Sequence, residues 1–371
     1  MFLTIVAFIV ILGVLIFVHE FGHFITAKRS GMRVEEFGLG FPPRLWGFKK
    51  GGTLYSLNLI PVGGFVKIKG ENGEAADESD SFGHQPFRKK ALVLSAGVLM
   101  NVILAFVLLS VGFMAGLPSV VDQQDINNNL VGEVKIQIAG VAENSPAALA
   151  GLSAGEVILE ADNVAMENIE QFQVYVKENQ NREINLKIKD TGGEIKNVSL
   201  SPQELPNFSE GKVIGVSLMQ VGNLRYGFFK SWYHGLIATF QFLLMIIIAF
   251  YQLFKDLFSG AGLSPDVAGP VGVAVVTGQM VNLGFIYLLH FTALLSLNLA
   301  ILNFLPFPAL DGGRFMFLVI EKIRGKKNNQ KLENIVNNLG FSLLMLAFAF
   351  ITYRDVARYT GGLIDKVKDL F

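Results

Sequence analysis

The 371-residue sequence predicts a polytopic α-helical membrane protein: four transmembrane helices, a membrane-associated β-hairpin region after the first, and an inserted α+β domain. Three observations carry the prediction. The chain is 51% hydrophobic and only 17% charged, with a mean hydropathy of +0.45, too apolar for an ordinary soluble enzyme of this length. Apolar runs long enough to cross hydrocarbon recur along it. The stretches between them carry the period-2 alternation and turn residues of short strands.

The formal net charge is zero and no basic run carries interleaved aromatics, so the expected partner is a lipid bilayer and not nucleic acid. There is no cysteine, which excludes disulfides, iron–sulfur clusters and thiolate zinc sites. Any metal must be held by His and carboxylate groups.

Residues 1–28 form the first expected span, apolar from Phe2 to Val18 apart from Thr4 and Gly13. It lacks the basic start and A-x-A-like site of a cleaved signal peptide and reads as retained. Residues 29–90 are rich in Gly and basic side chains. Their extended pieces, Glu36 to Phe41 and Tyr55 to Lys67, flank or contain the turn Pro61-Val-Gly-Gly64 and suit strands in a membrane-embedded region on the cytoplasmic side. The second span is expected at 91–116.

Residues 125–219 are polar enough for a water-soluble domain. Val134, Ile136 and Ile138 alternate as a strand, and Pro146 to Gly151 suits a short helix with Pro at its first turn and Gly at its end. Gly155 to Glu160 reads as a strand, Ile169, Phe172 and Val176 recur at helical spacing, and two strands bracket Thr191-Gly-Gly193. The order is β-α-β-α-β-β. The line AENSPAALAGLSAGEVILEADN resembles PDZ domains of bacterial proteases, with Lys212 to Met219 as a closing strand.

Positive charge orients the chain. Lys28, Arg29, Arg33, Arg44, Lys49, Lys50 and others precede the second span, and Arg314 to Lys331 precede the run at Gly340, so both connections are expected in the cytoplasm. The PDZ-like domain then lies outside. A spanning Trp232 to Phe254 would break this charge rule, so 229–283 is expected to lie in the interface. The third span falls in 284–313, a cytoplasmic loop in 314–339 and the fourth span in 340–371.

Residues 18–23 read VHEFGH, at the cytoplasmic end of an otherwise apolar span. Ionisable groups there cost several kcal/mol, about 3 each on an insertion scale, unless paired, metal-bound or hydrated, and so signal function. His19 and His23, four residues apart, stack on one helical face and suit a single zinc, with Glu20 beside them as general base. Catalytic zinc wants a third protein ligand and an open position. Asp311 ends the descending run at the same depth, on backbone broken by Pro306 and Pro308. An N-cap role for Asp311 is compatible with ligation.

Nearly the whole chain resembles the site-2 proteases, bacterial intramembrane zinc metalloproteases of peptidase family M50 that regulate sigma factors. The resemblance rests on His19-Glu-Phe-Gly-His23, Pro61-Val-Gly-Gly-Phe-Val66, the PDZ-like insertion, Gly269-Pro-Val-Gly272, and Asn303-x-x-Pro306 leading to Leu310-Asp-Gly312. It implies zinc on His19, His23 and Asp311, Glu20 as base, and Asn303 as a substrate-binding group. It also implies single-pass membrane substrates such as anti-sigma factors or remnant signal peptides, trimmed first by a site-1 protease. Where many relatives carry Gly-Pro before Asn101, this chain has Gly97-Val-Leu-Met. It has room for one PDZ domain.

A transmembrane substrate must unwind to be cut, and the protease must replace its lost backbone hydrogen bonds. The β region is expected to do so at an open strand edge. Leu57, Leu59, Gly63 and Gly64 are the residues assigned to that contact. The PDZ-like domain either captures a trimmed end or excludes bulky outer domains. A membrane-bound PDZ scaffold with a non-catalytic metal site is the alternative function.

Overall fold

In the computed structural model, helix α1 (Phe2–Arg29) is apolar on every side as far as Val18 yet has two faces. Ile11, Leu15, His19, Gly22, His23 and Ala27 are buried, at the spacing of one helical stripe. Phe2, Ile5, Val6, Val10, Val14 and Phe17 are exposed. The two histidines therefore belong to the packed side. The structure describes residues 2–71, 73, 75, 77–121, 130–132, 134–142, 144–205, 211–260, 268–326 and 328–368.

The chain divides into two units, Met1–Val111 with Trp232–Phe371, and Gly112–Ser231. In the first, α1 leads into two long antiparallel strands, β1 (Val34–Lys50) and β2 (Thr53–Ile68). Each strand is used twice. Phe37, Gly38 and Leu39 pair with Tyr55, Ser56 and Leu57 on one side and with Val66, Phe65 and Gly64 on the other, while Trp46 to Lys50 pair back onto Leu57 to Thr53. Four extended segments result, in the order 44–50, 53–60, 34–41, 64–68. Phe24 of α1 packs against Phe37 and Tyr55 and ties the sheet to the helix.

This corrects the expectation for Leu57 and Leu59. Leu57 pairs with Leu39 on one side and Trp46 on the other and so is not at an open edge, and Leu59 follows it on the same interior segment. Gly63, with φ +111, turns the chain so that Gly64 begins the edge segment.

Helix α2 (Phe87–Ala115) enters this unit as far as Val111. The unit's helices in the second part of the chain, α5 to α9, are numbered after two short ones described below. They are α5 (Phe228–Ser259, in the unit from Trp232), α6 (Pro270–Leu283), α7 (Phe285–Phe304), α8 (Asp311–Arg324) and α9 (Gln330–Lys368). Among the described residues five helices are long and apolar enough to cross a membrane, where four were expected: α1, α2, α5, α7 and Gln330–Arg358 of α9. The addition is α5, a single helix of 32 residues. Two boundaries also shift. The first part of the expected loop 314–339 is α8, closed by Gly325 in the left-handed conformation, and α9 begins at Gln330. Helix α7 stops at Phe304, ahead of Pro306 and Pro308, because proline lacks the N–H a helix interior needs.

The second unit holds β3 (Leu117–Val120), β4 (Lys135–Val141), α3 (Pro146–Leu149), β5 (Val157–Ala161), β6 (Val164–Ala165), α4 (Ile169–Glu178), β7 (Ile184–Lys189), β8 (Ile195–Leu200) and β9 (Val216–Leu224). Its sheet runs β3-β9-β4-β5-β7-β8, with β6 paired to β5. Ser145 and Asn168 cap α3 and α4 through their side-chain oxygens. The alternating Ile136 and Ile138, with Ile158, Phe172, Ile184, Leu186 and Ile188, form the core, each at most 2% exposed. The closing strand lies further along than Lys212 to Met219, because Gly215 (φ +80) interrupts the extended run, and β3 adds a strand the sequence did not signal. Residues 125–129 of the expected domain lie outside the described residues.

Asp162 sits in the β5–β6 turn. It accepts the Asn185 N–H at 2.9 Å and the Tyr175 hydroxyl at 2.8 Å, and pairs with Arg182 at 2.9 Å. The Asn185 N–H, first among these, holds its carboxyl below the usual range. A lowered folded pKa contributes stability that is present above the unfolded value and is lost as pH falls through the folded one. Asp162→Asn should therefore lower the denaturant midpoint for hydrogen exchange in 157–200 at pH 7, with the difference from the parent protein shrinking below pH 4, about the unfolded Asp pKa. An unchanged difference would refute the assignment.

Candidate active site

Three donor atoms meet at the packed face of α1. His19 Nε2 lies 3.0 Å from Asp311 Oδ2, His23 Nε2 lies 3.2 Å from the same oxygen, and the two Nε2 atoms are 3.2 Å apart. Tetrahedral zinc with ligands at about 2.0–2.1 Å separates each ligand pair by about 3.3 Å, so this triangle fits such an ion. The three residues form a potential metal-holding group among the described residues.

The outer nitrogens explain why the inner ones converge. His23 Nδ1 is 2.8 Å from the Val93 carbonyl, to which its N–H donates, leaving Nε2 with a free lone pair. His19 Nδ1 is 3.4 Å from the Asn101 side-chain nitrogen, while Asn101 Oδ1 is buried without a partner among the described residues. Turning that amide by half a rotation satisfies both groups: Oδ1 accepts the His19 Nδ1–H and His19 Nε2 is freed for a metal. Ser296 of α7 donates to the Asn101 carbonyl at 2.8 Å and holds this asparagine in place.

Close approach makes the geometry possible. A side-chain carbon at Gly22 would fall 2.5 Å from the Ala96 carbonyl oxygen, so the Gly of HEFGH lets α2 touch α1. One at Gly97 would stand 2.4 Å from His23 Nε2 and 2.8 Å from His19 Nε2, inside the space the ligands share. Asp311 arrives at the start of α8 after the Pro306–Pro308 break. Gly312 follows because a side-chain carbon there would fall 2.3 Å from the carbonyl oxygens of Phe304 and Leu305.

The other predicted residues fall at different distances. Asn303, one helical turn before Pro306, places its amide nitrogen 3.4 Å from His19 Nε2. Gly64 lies against Glu20, where an added side-chain carbon would be 3.4 Å from Glu20 Cγ. Gly63 forms the turn beside it. Leu57 and Leu59 are not brought to the site by the sheet order. Glu20 is half-buried, and its carboxylate has no hydrogen bond or ion pair with any described residue.

An HExxH helix completed by an aspartate within an apolar helical assembly defines a membrane metallopeptidase site. The description of Peptidase family M50 matches residues 7–347, and the chain belongs to that family. It is 30% identical to Zinc metalloprotease RasP of Shouchella clausii, over 96% of this chain and 99% of that one. It is 28% identical to the Regulator of sigma-W protease RasP of Bacillus subtilis, over 96% and 98%. Among solved structures, the PDZ domain of an SdrC-like protein from Listeria innocua covers 23% of this chain and 92% of its own, with 23% identity and a TM-score of 0.21.

Gly97→Ala should remove the metal without disturbing the helix, since Ala favours helix over Gly. Asn101→Ala should weaken metal affinity on the order of tenfold or more, as loss of a partner to a ligating histidine does. Zinc content measured by elemental analysis, beside unchanged far-UV circular dichroism, checks both. Full zinc occupancy in Gly97→Ala would contradict the packing described.

Proposed function

We propose that the chain is an intramembrane zinc metalloprotease of the site-2 type, hydrolysing peptide bonds within or near the transmembrane segment of single-pass membrane proteins. The observation that carries this is the convergence of His19, His23 and Asp311 in an apolar helical unit with an unpartnered Glu20 beside them. A structural metal site has no use for that free carboxylate.

His19, His23 and Asp311 would hold the zinc, which would supply Lewis-acid polarisation of a carbonyl and acidify water. The Glu20 carboxylate takes the proton of the attacking water and hands it to the leaving amide nitrogen. Asn303, with its amide at the same point, hydrogen-bonds the substrate near the reacting peptide. The edge segment 64–68, which starts beside Glu20, pairs with the unwound substrate strand and replaces the backbone bonds its helix lost. The substrates are anti-sigma factors or remnant signal peptides, already shortened by another protease.

Depth within the helical unit supports a four-span topology. Gly97 faces the metal ligands and Ser110 lies thirteen residues along α2, about 20 Å away at 1.5 Å per residue. Asn303 also faces them, and His290 lies thirteen residues back along α7, again about 20 Å away. Helix α5 touches both distant points, Gly235 against Ser110 and Phe242 against His290. These contacts support reading α5 as lying across the ends of α2 and α7, with Trp232 reaching Phe106 one turn further in. Helix α6 does the same: Gly278 packs on Thr4, fifteen residues before His19, and Gly272 N–H donates to Asp355 at 2.7 Å, fifteen residues past the Gly340 contact with Pro308. This leaves α1, α2, α7 and α9 to span, with α5 and α6 at the outer surface, the PDZ-like unit outside and the active site near the cytoplasm.

Purified protein should cut a single-span substrate with a short outer stub inside its span, and Glu20→Gln should lower the rate by at least about 10²-fold, the scale of general-base loss, with zinc retained. Equal cleavage by both would remove Glu20 from the chemistry. Ser259→Cys, the single thiol in an otherwise cysteine-free chain, should react with a membrane-impermeant maleimide from the outer face. Labelling from the cytoplasm would place α5 across the membrane.

A further inference from the structure

A cavity of about 140 Å³ lies beyond the metal site, walled by the end of the edge strand (Gly70, Glu71), the first turn of α2 (Lys90), α8 (Arg314, Glu321) and the start of α9 (Glu333). Its charges are unevenly satisfied. Arg314 and Glu71 form an ion pair, which also ties the ligand-bearing helix α8 to the edge strand. Glu321 and Glu333 are half-buried, and their carboxylates have no hydrogen bond or ion pair with a described residue; Arg314 and Lys90 act on Glu333 only at longer range. Lys90 is only 9% exposed, and its ammonium group has no hydrogen-bond acceptor among the described residues, only the Phe82 ring at 5.8 Å. A buried ammonium group without an acceptor, beside half-buried carboxylates without a close cation, points to a ligand that completes them. It must bring a cation for the carboxylates and an acceptor for the lysine.

Two rulers place the cavity relative to the chemistry. From Gly64, beside Glu20, the edge strand runs to Ile68, about 13 Å at 3.3 Å per residue, and then reaches Gly70 and Glu71 at the cavity wall. From Asp311 to Glu321, α8 rises about 15 Å. An extended peptide laid along the edge therefore enters the cavity four to six residues from the bond beside Glu20. Its backbone offers carbonyl acceptors. Its side chains there belong to the cytoplasmic flank of a membrane span, where Lys and Arg are enriched.

We propose that this cavity is a specificity subsite for a lysine or arginine on the cytoplasmic side of the scissile bond, with Glu321 and Glu333 as counter-charges and Lys90 donating to a backbone carbonyl of the same segment. The proposal rests on the protease reading above. It assigns the enzyme a charge preference beyond the span it cuts.

The test uses the full-length protein in detergent and three single-span substrates, identical except for Lys/Arg, Gln or Glu four to six residues on the cytoplasmic side of the cut. The parent enzyme should favour the basic flank over Gln on the order of tenfold in kcat/KM, the scale of one charge-assisted hydrogen bond. E321Q/E333Q should abolish that preference while cutting the Gln substrate as before, and E321K/E333K should shift it toward the Glu flank. Equal parent rates on basic and Gln flanks would overturn the subsite, as would a preference that survives in E321Q/E333Q. Loss of activity on every flank in both variants would also overturn it, since a side-chain subsite has no part in cutting the neutral substrate. Failure of the protease reading is distinguishable, because it would show as Glu20→Gln cutting the Gln substrate as fast as the parent.

Discussion

Within an apolar helical assembly, two imidazole nitrogens and one carboxylate oxygen occupy a triangle with sides of 3.0 to 3.2 Å. Water is scarce at such a place, so these groups are costly unless they complete one another or share a cation. Much of the surrounding architecture follows from that requirement. Helix α2 must approach α1 at Gly22 and present Gly97, not a side chain, to the ligands. Helix α7 must end at its prolines so that Asp311 turns inward at the depth of His19 and His23. Gly312 must follow, because no side chain fits under the carbonyls of Phe304 and Leu305.

The second layer of contacts is as demanding as the first. The Val93 carbonyl and the Asn101 amide select, through the far nitrogens, which lone pairs face inward. Ser296 holds Asn101, linking α7 to α2 and both to α1. Four elements therefore share one polar network, and in an apolar surrounding each of its hydrogen bonds is worth more and costs more to break than it would in water.

The β region contributes something helices do not: a strand edge of backbone donors and acceptors next to the Glu20 carboxylate. A buried helix exposes no such edge, and a substrate helix loses its own hydrogen bonds when it unwinds. Folding β1 and β2 into four segments leaves 64–68 at an edge and anchors the sheet to α1 through Phe24. The Glu71–Arg314 pair fastens the far end of this edge to α8. Strand and metal ligand are thereby held in one frame, which is what positioning a peptide against a fixed metal requires.

The sequence by itself determined the features that depend on local chemistry: the apolar helices, the HExxH spacing that stacks His19 on His23, the proline break before Asp311, and, within the inserted domain, the strands and helices from β4 to β8 apart from the short β6. These were legible because period, capping and backbone restriction act over a few residues. Tertiary structure decided what depends on separated segments. Strand pairing placed Gly64, and not Leu57 or Leu59, at the edge beside Glu20, since β1 and β2 each pair twice. Helix packing revealed the roles of Gly22, Gly97 and Asn101, whose residue types carry no local signal for a contact. It also brought α5 against Ser110 of α2 and His290 of α7, contacts that hydropathy does not encode, because a helix is equally apolar whether it crosses hydrocarbon or rests at its surface.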